Sequence, residues 1–125
     1  MSTIHLFDVV SRHNQWLSVR QSAIASNVAN ANTPGYKPVD VEPFEKVLET
    51  TRLSTLTTHS AHLADTAKPS SIDVSKSEPW EVSYSGNSVS LEQELINANE
   101  VNRAYRLNAG IAKAFHRMLL ASAKV

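Results

Sequence analysis

Residues 26–37 read SNVANANTPGYK, and they decide where the first long helix of this chain must stop and how the chain leaves it. Proline at position 34 disfavours α conformation at Thr33, so the apolar-periodic segment before it closes by about Asn32. Thr33-Pro34-Gly35-Tyr36 then fits a type II turn, in which Pro34 presets the second position and Gly35 supplies the positive φ needed at the third. Three amides crowd this exit. Asn27 and Asn30 share a helical face, and Asn30 and Asn32 sit where the last carbonyls lose their intrahelical partners, so their side chains can bridge helix end and turn.

Upstream, apolar residues recur at helical spacing from Ile4 to Ala31. Val10, Leu17, Ile24 and Ala31 lie seven apart, as do Val9, Trp16 and Ala23, giving a broad coiled-coil-like stripe. Such a helix would be about 40 Å long at roughly 1.5 Å per residue. A second periodic block opens at VSLEQE, where Ser90 and Gln93 have capping-box spacing and acidic side chains meet the positive end of the helix dipole. It runs to about Ala123, with one stripe through Leu91, Leu95, Ala98, Asn102, Tyr105, Ala109, Ala112 and Leu119 and a second through Ile111, Ala114, Phe115, Met118 and Ala121. The end of this helix is therefore apolar over more than one face.

The text between the two blocks is different. Pro38, Pro43, Pro69 and Pro79 punctuate Thr/Ser-rich stretches with little periodicity. Phe44, Val47 and Leu48 start a short predicted helix reaching toward Leu56, and Trp80, Val82 and Tyr84 alternate like a short strand. The expected fold is mainly α: an N-terminal amphipathic helix in 1–33, an irregular middle in 34–88 with at most a short β element, and a C-terminal amphipathic helix in 89–125. The two long helices are expected to pack as an antiparallel coiled-coil-like hairpin within one structural domain. Apolar surface remains after they have covered each other, and that calls for a further protein partner.

Composition narrows the function. Twelve Lys plus Arg balance twelve Asp plus Glu, so no net field draws the chain to nucleic acid or to an anionic bilayer. There is no cysteine and hence no thiol chemistry or disulfide frame. The first residues lack a basic n-region and no run approaches the roughly 20 apolar residues that span a membrane, so neither a cleaved signal nor direct membrane insertion is expected. His59, His62 and Asp65 have a spacing that would serve a metal on a helix, but they sit in a Thr/Ser-rich stretch without helical periodicity and without a glutamate base. Glu92, Glu94 and Glu100 read as dipole and surface groups, not as a catalytic pair. No catalytic residue, metal or cofactor is expected.

NVANANTPGYK resembles the signature of the bacterial flagellar rod, hook and hook-associated axial proteins. Taken with TPGYKPVD, TTHSAHL and GNSVSLEQEL, the chain resembles the flagellar basal-body rod protein B family nearly end to end. Asn99, Asn102 and Asn108 depart from that pattern by making the terminal helix more polar than a typical seam. The resemblance implies a structural subunit of the proximal rod, exported by the flagellar type III apparatus without signal cleavage. It implies assembly with other rod subunits, with copies of itself, and with ring and export-gate components of the basal body. The expected packing and assembly residues are Leu17, Ile24 and Val28 on the first helix and Leu95, Tyr105, Ile111, Phe115, Met118 and Leu119 on the second. The turn motif comprises Asn27, Asn30, Asn32, Thr33, Pro34, Gly35 and Tyr36. Asn14 and Asn102 fall on seam positions, where a polar residue can set register, and simple solvent exposure is the preferred reading of each. A soluble helical adaptor or chaperone, holding one partner helix in its groove, is the alternative reading.

Overall fold

Two long helices, α1 (Leu6–Ala29) and α3 (Leu91–Ala123), form an antiparallel hairpin in the computed structural model of the chain, which describes residues 6–52, 72, 74–76 and 86–124. Their pairing follows from contacts that step in opposite directions along the two chains. Phe7 meets Phe115 edge-on at 5.4 Å, Asn14 bonds Asn108 at 2.9 Å, and Asn27 bonds Glu94 at 3.1 Å. Leu17, Ile24 and Val101 form the core between these contacts, with Trp16, Ala98, Ala104 and Tyr105 packed against it. The core is small, and its two most enclosed side chains, Leu17 and Val101, are each 1% exposed.

α1 ends at Ala29, earlier than the proline alone requires. Beyond it the backbone tightens into three-residue steps, with Ala31 N–H donating to Val28 at 3.2 Å, Thr33 N–H to Asn30 at 3.0 Å and Tyr36 N–H to Thr33 at 3.2 Å. Pro34 has no N–H for the Asn30 carbonyl four residues back, so that carbonyl takes the tighter bond from Thr33. Gly35 has φ of 72°, as a type II turn demands at that place.

The chain then doubles back along α1. β1 (Val39–Val41) pairs antiparallel with β2 (Val74–Lys76), Asp40 facing Ser75. This two-stranded element is not visible as alternation in the sequence. The predicted strand at Trp80, Val82 and Tyr84 lies outside the described residues, as do His59, His62 and Asp65. α2 (Phe44–Arg52) forms where Phe44, Val47 and Leu48 predicted a helix. Phe44 packs against the rings of His13 and Trp16, at 4.6 and 5.9 Å, and Trp16 Nε1 donates to the Glu42 carbonyl at 2.8 Å.

α3 begins at the expected cap. Ser90 is extended and its hydroxyl accepts from Gln93 N–H. The capping box is half formed, because the Gln93 amide donates to Asn97 at 3.3 Å instead of returning to Ser90. At the other end the Lys124 N–H closes on the Leu120 carbonyl at 3.2 Å.

The seam on α3 runs one residue ahead of the predicted stripe. Glu94, Val101 and Asn108 are its buried residues, whereas Leu91, Leu95, Asn102 and Ala109 are exposed. Asn14 does sit at the seam, but Asn102 does not. Apolar periodicity misplaces the face because two of its three buried positions are polar and find partners on α1. No helix is long and apolar enough to cross a membrane among the described residues.

Candidate functional site

Two features carry the chemistry of this chain: the amide-held exit from α1 and the apolar surface that the hairpin leaves uncovered. Asn27 is the centre of the first. It is 2% exposed. Its Nδ2 donates to the Val39 carbonyl at 2.8 Å and to Glu94 Oε1 at 3.1 Å. Its Oδ1 accepts from Val39 N–H at 2.9 Å and from the Tyr36 hydroxyl at 3.3 Å. One amide thus uses its full hydrogen-bonding capacity to join α1, the returning strand and α3.

Asn30 works locally: its amide donates to the Ser26 carbonyl at 2.9 Å and its oxygen accepts from the Thr33 hydroxyl at 3.1 Å. Asn32 is exposed. A fourth amide, Asn87, completes the exit from the far side of the sequence. It is 4% exposed and donates to the carbonyls of Asn30 and Thr33 at 2.8 and 2.7 Å, adding a second bond to each carbonyl beside the backbone N–H it already accepts. Ser88 N–H adds a bond to the Tyr36 carbonyl at 3.1 Å. Gly86 has φ of 75°, a backbone conformation that favours glycine, and it lies beside Gly35 in space.

Glu94 is the unusual group here. It is 5% exposed, and its Oε2 has no hydrogen-bond partner among the described residues. Burial pushes its carboxyl above the ordinary value; the hydrogen bond from Asn27 opposes this and the nearby Asp40 charge adds to it. Arg20 lies alongside, with Nε 3.4 Å from Asp40 Oδ1 and Nη1 3.3 Å from Glu100 Oε2.

The residues expected to pack or assemble divide into two groups. Leu17 and Ile24 are in the hairpin core, Tyr105 packs against it while its hydroxyl donates to the Asn14 carbonyl at 3.2 Å, and Phe115 meets Phe7. Val28, Leu95, Ile111, Met118 and Leu119 are exposed, from 39% at Ile111 to 65% at Leu95. Leu107 and Leu120 join them at 63% and 53%.

Sequence reasoning missed Val101, Glu94, Asn108 and Asn87 as structural residues. The signal available was their phase, since 87, 94, 101 and 108 are seven apart, but only one of the four is apolar. No group of three metal-ligating side chains occurs among the described residues. A cleft of about 350 Å³ beside the exit is lined by Ala31, Asn32, Asn87, Val89, Ser90, Leu91 and Glu92. Glu92 is the one ionisable side chain that lines it among the described residues.

Comparison with known proteins agrees with this architecture. Residues 14–37, from the seam contact at Asn14 through the turn, match the family model described as "Flagella basal body rod protein". The chain is 42% identical to the flagellar basal body rod protein FlgB of Agrobacterium fabrum, covering 99% of this chain and 96% of that protein. It is 31% identical to FlgB of Yersinia enterocolitica over 70% of each chain, and 29% identical to FlgB of Yersinia ruckeri over 74% of each.

Proposed function

This chain belongs to the flagellar basal-body rod protein B family, and we propose that it serves as a structural subunit of the proximal rod, part of the shaft that carries torque to hook and filament. It is a component of the flagellar basal body and comes from a family of structural proteins, not of enzymes. Its neighbours in this reading are other rod subunits, copies of itself, and ring and export-gate components. It reaches the periplasm-spanning rod through the flagellar type III apparatus without a cleaved signal.

One observation carries the reading: large apolar side chains lie on the outside of α3 while the hairpin core is small. Leu91, Leu95, Ile96, Leu107, Met118 and Leu120 are all more than half exposed. Each contributes roughly 1.5–3 kcal/mol when fully covered, and less in proportion to what stays wet. Helical spacing sets Leu91, Leu95 and Leu120 on one flank of the seam and Ile96, Leu107 and Met118 on the other, and exposed apolar surface of this extent marks protein interfaces. Open helical assembly uses heterologous contacts, in which one patch meets a different patch and the operation does not close on itself. Val28, Leu95, Ile111, Met118 and Leu119 are the residues we assign to such contacts. Leu17, Ile24, Tyr105 and Phe115 hold each subunit's own hairpin, and residues 27–36 fix the angle at which the chain leaves α1. The segments 1–33, 34–88 and 89–125 act together as one subunit.

Deleting the gene tests the reading: rod, hook and filament should be lost while the membrane ring remains. Normal filaments in the deletion strain, with the purified chain forming a small closed oligomer, would favour the adaptor alternative instead. The isolated subunit should be partly helical and gain helix on co-assembly, which circular dichroism measures. An isolated subunit that already has its full helix content, with none gained on co-assembly, would count against the need for neighbours.

A further inference from the structure

The apolar seam residues of α1 do not by themselves say where α3 should lie. Val10, Leu17, Ile24 and Ala31 repeat every seven residues, so a slide of α3 by one heptad presents it with the same kind of apolar face. The opposing line is different in kind. Asn87, Glu94, Val101, Asn108 and Phe115 are also seven apart, and the three polar members are 4%, 5% and 6% exposed.

Each polar member has a partner at one level only. Asn87 donates to the carbonyls of Asn30 and Thr33, Glu94 accepts from Asn27, and Asn108 Nδ2 lies 2.8 Å from His13 Nδ1 and 2.9 Å from Asn14 Oδ1. The apolar Val101 falls between Leu17 and Ile24. A slide of one heptad in one direction carries Asn108 to that apolar level, and a slide in the other direction carries Glu94 there. Either slide also leaves Asn14 and Asn27 without their partners across the seam. Buried polar groups without partners are costly, while apolar residues in the same places would tolerate every register.

We propose that Asn87, Glu94 and Asn108 are the register-determining residues of this subunit. They select a single axial placement of α3 on α1, and with it the spacing between the exposed apolar residues of the two helices. They act through position and add little to stability. This reaches beyond membership of a rod and does not depend on polymerisation.

The chain has no cysteine, so spin labels go only where cysteines are introduced. Ser11→Cys and Asn99→Cys place labels at exposed sites staggered along the hairpin. One heptad of slide displaces them axially by about 10 Å, at roughly 1.5 Å per residue. Pulsed dipolar electron resonance on the purified chain should give one narrow distance in the parent. The same should hold for Val101→Ala, which lowers the melting temperature without offering a second register. The triple variant Asn87→Ala/Glu94→Leu/Asn108→Leu should stay helical and show a second distance, shifted from the first by somewhat less than that axial displacement. Asn87→Ala/Glu94→Gln/Asn108→Gln, which keeps polar groups at both helical sites, should retain one dominant distance. A triple leucine-bearing variant with a single parental distance, or one that loses its helix, overturns the proposal. A second distance appearing equally in Val101→Ala overturns it too, because loosening alone would then explain the result.

Discussion

Replacing Asn27 by alanine removes a buried side chain that ties α1 to both the returning strand and α3, and the cost can be worked from its bonds. Val39 loses a donor and an acceptor, at 2.8 and 2.9 Å, and Glu94 Oε1 loses its donor at 3.1 Å. Tyr36 keeps a contact to the Ser26 hydroxyl at 3.3 Å and suffers least. Val39 is half-buried, so water reaches part of what is stripped there, whereas Glu94 Oε1 is left enclosed without the Asn27 donor. At about 1–3 kcal/mol for each enclosed group left unsatisfied, the sum is about 3–5 kcal/mol. With a urea dependence of about 2 kcal/mol per molar, the midpoint should fall by roughly 2 M. Circular dichroism at the helix band in a urea titration reads this directly. Asn32→Ala is the control: the side chain is exposed, and its removal should move stability by less than about 0.5 kcal/mol. Asn27→Asp separates hydrogen bonding from volume. It keeps the acceptor for Val39 N–H, loses the donor, and sets a negative charge against Glu94. It should be worse than alanine near neutral pH and recover on acidification. Equal midpoints for Asn27→Ala and Asn32→Ala would refute the reasoning.

The remaining predictions concern charge, backbone and surface. Because the Glu94 carboxyl is raised in the folded chain, its contribution favours folding fully below the ordinary carboxylate value and is lost as pH rises through the folded value. Glu94→Gln should therefore melt above the parent at neutral pH, and the gap should close toward pH 4; a gap independent of pH would count against it. Gly35→Val places a β-branched residue at φ of 72° with open space around its Cβ, so the cost is backbone strain of about 1–2 kcal/mol and Gly35→Asn should cost less. Swimming in soft agar should fall with Gly35→Val, and wild-type swimming would argue against a fixed exit angle. Leu17→Ala should destabilise the chain by about 2–5 kcal/mol, since that side chain is almost fully enclosed. Leu95→Asp should leave the melting of the isolated chain nearly unchanged yet impair swimming, and normal motility in that variant would remove Leu95 from the proposed contacts.

Local rules account for what was readable in advance. The heptad recurrence of Val10, Leu17 and Ile24 marks α1, Ser90 marks the start of α3, and Pro34 with Gly35 marks the turn, since each depends on neighbours within one or two helical turns. The β1–β2 pair was not readable, because three-residue strands carry too little alternation and are fixed by pairing across more than thirty residues. The second set of amides was partly readable. Asn87 belongs to the GNSVSLEQEL stretch that carries the family likeness, but nothing near it in sequence says that it donates to the carbonyls of Asn30 and Thr33.

Two amphipathic helices, the place where the first one stops, and a surplus of apolar surface are legible from neighbouring residues, because periodicity, proline geometry and capping act over short separations. Which line of α3 faces α1 is settled by folding alone. A rule that scores hydrophobicity assigns Glu94 and Asn108 to water and Leu95 to the seam. The folded chain does the reverse, because Asn27, His13 and Asn14 supply partners that are distant in sequence. A buried polar residue is stable only where its bonds are met, and that condition is written in three dimensions.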